Sequence, residues 1–313
     1  MTDLLDLADV HLVVAMATFR RPDCLDRILP LLVEQVRDLG PRASALVVDN
    51  DPEGGAREQV ESYPAERVRY VHEPEPGIAA ARNRALDESK DADLLVFIDD
   101  DETPSRQWLR TLLATWVEHR CAAVAGPVEP VYEADIDDWI EATEVFTRRQ
   151  RTTGTVLRGA ATNNLLLDLR VLRRLGLRFD ERFGITGGSD TMLTYRLTHE
   201  GEVIRWCDEA TVCDIIPASR LSRDWILRRT TRTSNDWARV NLALADGPWD
   251  KARTRAVLAA RGTYRFAAGF GRRTVGQATQ RVDLQAVGSR DIASASGLVR
   301  GAFGGVIAEY TRG

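Results

Sequence analysis

The sequence predicts an α/β protein with a doubly wound, mostly parallel sheet, helices on both faces, and a helical, basic C-terminal extension. Three observations support this prediction. Short apolar runs alternate with stretches of helical periodicity, which is the pattern of a doubly wound sheet. Polar residues follow each apolar run directly, as they do at the carboxyl ends of parallel strands. Acidic residues outnumber basic ones in the first two thirds of the chain, and the balance then reverses.

The elements of the first half follow from apolar spacing. Pro22 and Asp23 are typical of a helix start, and Gly40-Pro41 of a helix end. Five consecutive large apolar residues at 94–98 suit a strand buried on both faces. The elements predicted here are strands at 11–18, 45–48, 67–71 and 94–98 and helices at 22–39 and 78–89.

The second half continues the alternation without a sharp linker. Residues 133–153 are mostly polar, with the aromatic residues Trp139 and Phe146 among them, and are predicted to form a mobile lid or an acceptor-side loop. Beyond Lys251 the chain becomes rich in alanine, glycine and arginine with helical character. The elements predicted here are helices at 105–120, 168–175, 189–199 and 225–244 and strands at 121–125, 159–167, 202–206 and 211–216.

Charge divides the chain into two regions. Residues 1–219 hold 25 Lys and Arg against 40 Asp and Glu, whereas residues 220–313 hold 17 against 7. We therefore expect a catalytic domain over 1–219 and a basic region over 220–313 that faces a membrane or an acceptor. A solvated arginine-rich helical surface explains the charge equally well.

Composition excludes several classes. No run of eighteen apolar residues is present, and the acidic amino terminus lacks the basic start of a secretory signal. The four cysteines fit no metal-binding spacing, which favours reduced thiols in a cytoplasmic protein. There is no GxGxxG, so a dinucleotide site has little support. No zinc site and no nucleic-acid partner are expected.

The strand at 94–98 runs straight into four acids, Asp99 to Glu102. Alternate side chains on an extended strand point the same way, so Asp99 and Asp101 would face one ligand while Asp100 faces elsewhere. Clustered carboxylates repel one another unless a cation or hydrogen-bond donors neutralise them. Hard oxygen ligands in small number suit Mg²⁺ or Mn²⁺ completed by substrate phosphates. The alternative is a solvated acidic turn that merely ends the strand.

Three segments together carry a family resemblance. They are 47–54 (VVDNDPEG), 75–86 (EPGIAAARNRAL) and 97–102 (FIDDDE). In order and spacing, residues 10–240 resemble the family 2 glycosyltransferases of the GT-A fold, and within them bacterial exopolysaccharide glucosyltransferases. The fold class implied is the GT-A type of doubly wound sheet.

The resemblance implies a role for each strand end. Asp101 would bind the divalent metal, and Asp99 would hold the ribose or assist the metal, as in the family's DxD motif. Asp49 is also a natural turn residue, and Arg82 with Asn83 is alternatively a helix-surface pair. The residues implied to bind the nucleotide-sugar are Thr18, Arg20, Asp49, Asn50, Arg82, Asn83, Asp99 and Asp100.

A second acidic position is implied as the general base. The family has a Glu-Asp pair at a helix start, and the matching pair here is Ser189-Asp190, so Asp190 is the candidate base. Ser189 departs from the family pattern. Both residues also suit a helix N-terminus without any catalytic role. Asn163 and Asn164 would line the acceptor side together with Ser189, or else form a turn.

The resemblance therefore implies an inverting, metal-assisted transfer of one sugar from a nucleotide-sugar, a UDP-hexose, to a hydroxyl of a glycan or lipid-linked acceptor. The QxxRW-type motif of processive synthases is absent, which favours single addition. We expect a cytoplasmic enzyme with peripheral contact at the inner face of the cell membrane. Two alternatives remain: a nucleotidyltransferase that releases pyrophosphate, and a noncatalytic sugar-nucleotide-binding relative, suggested by Ser189.

Overall fold

The computed structural model describes residues 10–147, 151–184 and 186–307, and it divides into two compact units. The first unit takes the described residues up to Glu129, those within 151–184, and Ser189–Asp214. The second takes Pro130–Thr147, Thr186–Gly188 and the described residues from Ile215 onward.

The first unit contains an eight-stranded sheet in the order β3-β2-β1-β4-β9-β6-β10-β8. Neighbouring strands run parallel except where β9 lies between β4 and β6 and where β8 pairs with β10. The predicted mostly parallel sheet is confirmed. Its strands are β1 (Leu12–Thr18), β2 (Ala43–Asp49), β3 (Val68–His72), β4 (Leu94–Ile98), β6 (Ala123–Ala125), β8 (Val156–Leu157), β9 (Asn164–Asp168) and β10 (Ile204–Trp206).

Three further strands lie outside this sheet. They are β5 (Glu102–Pro104), β7 (Val128–Tyr132) and β11 (Val212–Ile216). β5 pairs antiparallel with the start of β11, where Glu102 stands opposite Asp214. This pairing fixes the chain at Glu102, the last acid of the segment that follows β4. It therefore limits the positions that Asp99 to Asp101 can take.

Helices cover both faces of the large sheet. Side chains alternate along β1, so Val14 and Met16 pack against α1 and α4 while Val13 and Ala15 pack on the side of α3, α6 and α7. The doubly wound architecture is therefore confirmed. The helices of this unit are α1 (Pro22–Leu39), α2 (Arg57–Glu61), α3 (Ile78–Glu88), α4 (Trp108–His119), α6 (Leu169–Leu175) and α7 (Ser189–His199).

The second unit is helical. It contains α5 (Asp138–Ala142), α8 (Arg223–Leu244), α9 (Gly247–Ala278) and α10 (Val282–Ala302). The prediction of a polar lid at 133–153 differs from the structure, because Trp139 and Phe146 are buried in an apolar cluster with Ile226 of α8. Burial of two large aromatic rings outweighs the polar composition around them. Residues 148–150 of that segment lie outside the described residues. Within the described chain, no helix combines the length and apolarity needed to span a bilayer.

Candidate active site

The acidic loop after β4 lies next to the end of β1, because the two strands are parallel neighbours with Leu12 opposite Leu94. The Thr18 hydroxyl donates to Asp100 Oδ2 at 2.8 Å. Arg21 Nη1 donates to Asp100 Oδ1 at 2.7 Å and to Asp101 Oδ2 at 2.9 Å. Asp100 is thus satisfied by side chains of the protein, and it shares Arg21 with Asp101.

Arg21 was not among the residues predicted for the site. Its signal was present, since a basic residue three positions after a buried strand lies beside the acids that end the neighbouring parallel strand. Its guanidinium neutralises part of the loop's charge. Asp101 keeps one side of its carboxylate toward solvent, with 20% of the side chain exposed.

Asp99 lies in a strongly perturbed position of the loop. Burial raises the pKa of its carboxyl to about 7, and Arg82 opposes that shift. The nearby charges that raise it further are those of Asp101, Asp100 and Asp190. Two consequences follow. Asp190, remote in sequence, is close enough to interact with Asp99, and the cluster carries more negative charge than its two arginines neutralise.

Glu102 stabilises the acidic loop through two hydrogen bonds to its carboxylate. Its Oε2 accepts from the backbone N–H of Asp99 at 3.0 Å, and its Oε1 accepts from Asn163 Nδ2 at 2.8 Å. Burial, followed by the charge of Asp99, raises the pKa of the Glu102 carboxyl well above its ordinary value. The predicted acceptor-side residue Asn163 therefore lies at the acidic loop. It donates to Glu102, and Glu102 in turn accepts from the backbone N–H of Asp99.

Asn164, the next residue, points into the core. Its amide donates to the carbonyls of Pro127 at 2.9 Å and Ala210 at 2.7 Å, and its oxygen accepts from Trp108 Nε1 at 2.8 Å. The side chain is buried, and both amide hydrogens are used by protein carbonyls. Asn164 therefore has a structural role, because it links β9 to Pro127, Ala210 and Trp108 by hydrogen bonds.

The end of β2 forms a second polar corner. The fully buried Asp49 carboxylate accepts from the backbone N–H groups of Asp51 and Ala56, both at 2.9 Å, and from the Tyr70 hydroxyl at 3.1 Å. Burial and the Asp49 charge raise the pKa of Tyr70 to about 12. Asp49 is thus a turn-former, as one of the two sequence interpretations held.

Asn50 organises the entry to α3. Its amide donates to the carbonyls of Glu73 at 2.8 Å and Glu75 at 2.6 Å, and its oxygen accepts from Gly77 N–H at 3.1 Å. Gly77 precedes the helix with φ of 118°, which an L side chain rarely adopts. Beside this corner, Arg20 Nε donates to Asp51 Oδ1 at 3.1 Å while 54% of the Arg20 side chain stays exposed.

Arg82 and Asn83 are buried, so they do not form a helix-surface pair. Asn83 bonds the backbone of Phe179 in both directions at 3.0 Å, which fixes the strand-like segment before α7. Arg82 Nη1 donates to the Ser189 hydroxyl at 3.1 Å, and its guanidinium lies 5.7 Å from the Phe179 ring centre. Among the described residues, no carboxylate forms an ion pair with Arg82.

The start of α7 presents the candidate base. Gly187 and Gly188 have φ of 90° and 91°, a left-handed turn that glycine adopts readily, and Ser189 opens the helix. The Ser189 hydroxyl accepts from Arg82 instead of capping the helix. Asp190 Oδ1 accepts from Thr191 N–H at 2.6 Å, and no described residue donates to its Oδ2. One oxygen of Asp190 is therefore available as a proton acceptor.

The donor set suits a divalent cation that arrives with a phosphate ligand. Across the described residues, no three His, Cys, Asp or Glu side chains form a ready-made metal cage. Two carboxylates at Asp99 and Asp101, with the rest of the coordination supplied by water and phosphate, match the habit of Mg²⁺ in nucleotide sites. Such a cation would favour the ionised form of Asp99, whose pKa is raised by burial first and by the neighbouring carboxylates after it. The residues present therefore fit the metal that the family resemblance implies.

Comparison with known proteins supports the same view of the chain. Residues 13–176 match the family model described as Glycosyl transferase family 2. Over 241 residues the chain is 33% identical to the succinoglycan biosynthesis protein ExoM of Rhizobium meliloti (strain 1021), which covers 76% of this chain and 77% of that protein.

Solved structures share the fold at low sequence identity. The mannosyltransferase PcManGT from Pyrobaculum calidifontis, in complex with GDP-Man and Mn²⁺, superposes with a TM-score of 0.62 at 17% identity, over 93% of this chain and 86% of that one. Residues 1–349 of S. aureus TarS, in complex with UDP, superpose with a TM-score of 0.54 at 14% identity, over 93% and 90%. At these identities the likeness concerns the fold alone.

Proposed function

The chain belongs to glycosyl transferase family 2, and on that premise we propose that it transfers one sugar, with inversion, from a UDP-hexose to a hydroxyl of a glycan or lipid-linked acceptor. The observation that carries the proposal is the electrostatic proximity of Asp99 and Asp190, which come from distant parts of the sequence. A paired metal-binding carboxylate and a separate proton acceptor are what such a reaction needs.

The donor side is formed by the acidic loop and α3. A UDP or GDP sugar is supported by the bound ligands of the structural neighbours, which are UDP in TarS and GDP-Man with Mn²⁺ in PcManGT. When bound, Mg²⁺ or Mn²⁺ would neutralise charge that develops on the leaving diphosphate. Asp101 and Asp99 would supply its protein oxygens. Arg82 keeps N–H groups beyond its bond to Ser189, and these would donate to the diphosphate.

The acceptor side is formed by the start of α7. Asp190 Oδ2, which no described residue bonds, would take the proton of the acceptor hydroxyl as that hydroxyl attacks the sugar. One base is enough for a single displacement, which inverts the anomeric centre. Arg82 donates a hydrogen bond to Ser189, the residue before Asp190, and its positive charge lowers the pKa of Asp99. One guanidinium would therefore help to position both acids.

Further roles complete the proposal. Thr18, Arg20, Asp49, Asn50 and Asn83 would frame the nucleotide, partly by fixing the loops described above. Asp100 would support the donor by pairing with Arg21, and Asn163 would shape the acceptor side, whereas Asn164 would contribute only by holding β9 in place.

The two regions of the chain would divide the work. Residues 1–219 would bind the donor and catalyse transfer, and residues 220–313 would face the acceptor or the membrane. The reaction would take place in the cytoplasm, because nucleotide sugars and reduced thiols are expected there.

The test is a transfer assay with the purified chain, Mn²⁺ and a panel of UDP-hexoses and lipid-linked acceptors, with the anomeric configuration of the product read by NMR. We expect acceptor-dependent release of UDP that disappears with Asp101→Ala and with a chelator. Glu200→Gln, an exposed acid just after α7, is the matched control and should be fully active. A retained anomeric configuration, or release of pyrophosphate from a nucleoside triphosphate, would contradict the proposal.

A further inference from the structure

Helix α9 is the most exposed long element of the second unit. Of its 32 residues, only Leu258, Gly262, Gly269 and Gly276 are buried. The three glycines are seven residues apart, so they lie along one edge of the helix. That edge contacts α10. Most of the other side chains of α9 are exposed to solvent in the described part of the chain.

The glycine edge brings α9 and α10 unusually close. A Cβ atom at Gly269 would stand 2.8 Å from the carbonyl oxygen of Gly288, and one at Gly276 would stand 2.7 Å from the backbone nitrogen of Gln285. A side chain is therefore excluded at these glycine positions. Leu258 is buried in a cluster with Leu298, whereas Tyr264, Phe266 and Phe270 of α9 are exposed.

The exposed surface of α9 is strongly basic. From residue 251 to residue 280 the chain contains seven Lys and Arg and no Asp or Glu. Three of the arginines have partners nearby: Arg261 lies over the Trp237 ring, Arg265 donates to Ser294, and Arg272 pairs with Asp291. For Arg253, Arg255 and Arg273 no ion pair or hydrogen bond exists within the described residues, so their charge is available to an external anion.

Apolar side chains lie among these charges. Arg255, Phe266 and Arg273 are spaced by eleven and seven residues, so they share one line on the helix. Val257, Tyr264 and Val275 share another line, which lies on roughly the opposite side of the helix. Tyr264 is 73% exposed. Phe266 and Phe270 stack on each other with ring centres 6.5 Å apart, and Phe270 is 60% exposed. A soluble helix rarely presents this many large apolar groups to water.

We propose that the side of α9 that carries Arg255, Phe266, Phe270 and Arg273 lies on an anionic lipid bilayer, with the two phenylalanine rings in the interfacial region and the two arginines at the headgroup phosphates. Basic residues with aromatic and aliphatic side chains on an exposed helix are the pattern of interfacial binding. A second copy of the chain fits poorly, because it would bring the same positive surface. The inference depends on the proposed function only for its purpose, delivery of a lipid-linked acceptor.

The test is sedimentation of the full chain with vesicles of phosphatidylcholine and phosphatidylglycerol, compared with vesicles of phosphatidylcholine alone. We expect binding to the anionic vesicles that weakens as salt rises. Arg255→Gln and Arg273→Gln should each weaken it about fivefold, and the double change Phe266→Ser, Phe270→Ser by about tenfold or more. These positions are exposed, so the variants should keep the thermal stability of the parent.

Matched controls lie in the first unit. Arg37→Gln removes one exposed positive charge and Val156→Ser one exposed apolar side chain, and both should bind vesicles like the parent. Asp101→Ala should lose UDP release yet still bind vesicles, whereas the α9 variants should still release UDP with a water-soluble acceptor. These readouts separate failure of membrane binding from failure of catalysis.

Three results would overturn the inference. One is a full chain that stays in solution with anionic vesicles at low salt, and another is equal binding to neutral and anionic vesicles. The third is a dimer in solution that the Phe266→Ser, Phe270→Ser change dissociates while vesicle binding is absent, which would assign the face to a second copy.

Discussion

The Arg82 guanidinium donates to the Ser189 hydroxyl at 3.1 Å, although the two residues are 107 positions apart in sequence. Ser189 adjoins Asp190, and Arg82 lowers the pKa of Asp99, so a single side chain links the candidate base to the acidic loop. A buried arginine whose partner is a neutral hydroxyl retains its full charge. That charge is then available to an incoming diphosphate.

Asp190→Asn tests the candidate base. The amide keeps the size of the side chain but cannot accept the acceptor's proton, so we expect kcat to fall by about 10²- to 10⁴-fold. The KM for the nucleotide-sugar should change little, because Asp190 acts on the acceptor. Steady-state kinetics measure both constants. An unchanged kcat would assign Asp190 to the helix start alone and would favour a noncatalytic relative.

Asp101→Asn tests the metal role of the acidic loop. We expect UDP with Mn²⁺ to raise the melting temperature of the parent chain and to leave that of the variant unchanged, because the variant has lost one of two proposed carboxylate ligands. UDP with a chelator should resemble the variant. Asp38→Asn, an exposed acid at the end of α1, serves as control. A full thermal shift in Asp101→Asn would exclude this carboxylate as a ligand.

Asp99→Asn is predicted to stabilise the chain at neutral pH. The ordinary pKa of 3.8 rises to about 7 on folding, so the favourable contribution of protonated Asp99 is present below about pH 4 and is lost as the pH rises through about 7. The neutral amide avoids that loss. We expect a gain of about 1–3 kcal/mol in the free energy of unfolding at about pH 8.

Urea unfolding in a chelator at about pH 4 and about pH 8 measures this effect. The gain of Asp99→Asn over the parent should fall below about 1 kcal/mol at the lower pH, where the parent carboxyl is protonated in the folded state and close to half protonated in the unfolded state. Equal gains at both values would mean that packing, and not charge, distinguishes the variant.

The pair Asn163 and Asn164 separates a site role from a core role. Asn164→Ala leaves Trp108 Nε1 and the carbonyls of Pro127 and Ala210 without their partner, so urea unfolding should show a loss of about 2–5 kcal/mol. Asn163→Ala removes one bond to Glu102 and should cost about 1 kcal/mol. Its larger effect should be on kcat, since Glu102 holds the backbone of Asp99. Equal destabilisation by the two changes would contradict this division.

Much of the fold was predictable because it depends on local patterns. The strands predicted at 11–18 and 94–98 contain continuous apolar runs at 12–17 and 94–98, which match burial on both faces, and the structure places them side by side as β1 and β4. The helix at 78–89 was likewise predicted almost to its ends. The acids after β4 could be assigned to the ligand edge since parallel strands end at one edge of the sheet.

Other features could not be predicted, because they depend on contacts between distant segments. Asn83 reads as a polar helix residue, yet it is buried against the backbone of Phe179. Trp139 and Phe146 sit in a polar stretch, and only their packing against α8 shows that this stretch is not an open loop. The insertion of β9 between β4 and β6 gives no periodicity of its own in the sequence.

The sequence by itself determined the alternating α/β architecture, the edge at which the polar strand ends meet, and the basic character of residues 220–313. Those properties follow from short-range periodicity and composition. Only the tertiary structure decided that Arg21 pairs with Asp100 and Asp101, that Arg82 bonds Ser189, and that Asp190 acts on the pKa of Asp99. The physical reason is that charge interactions fall off with distance in space, and distance in space is set by the packing of α3 and α7 on the sheet.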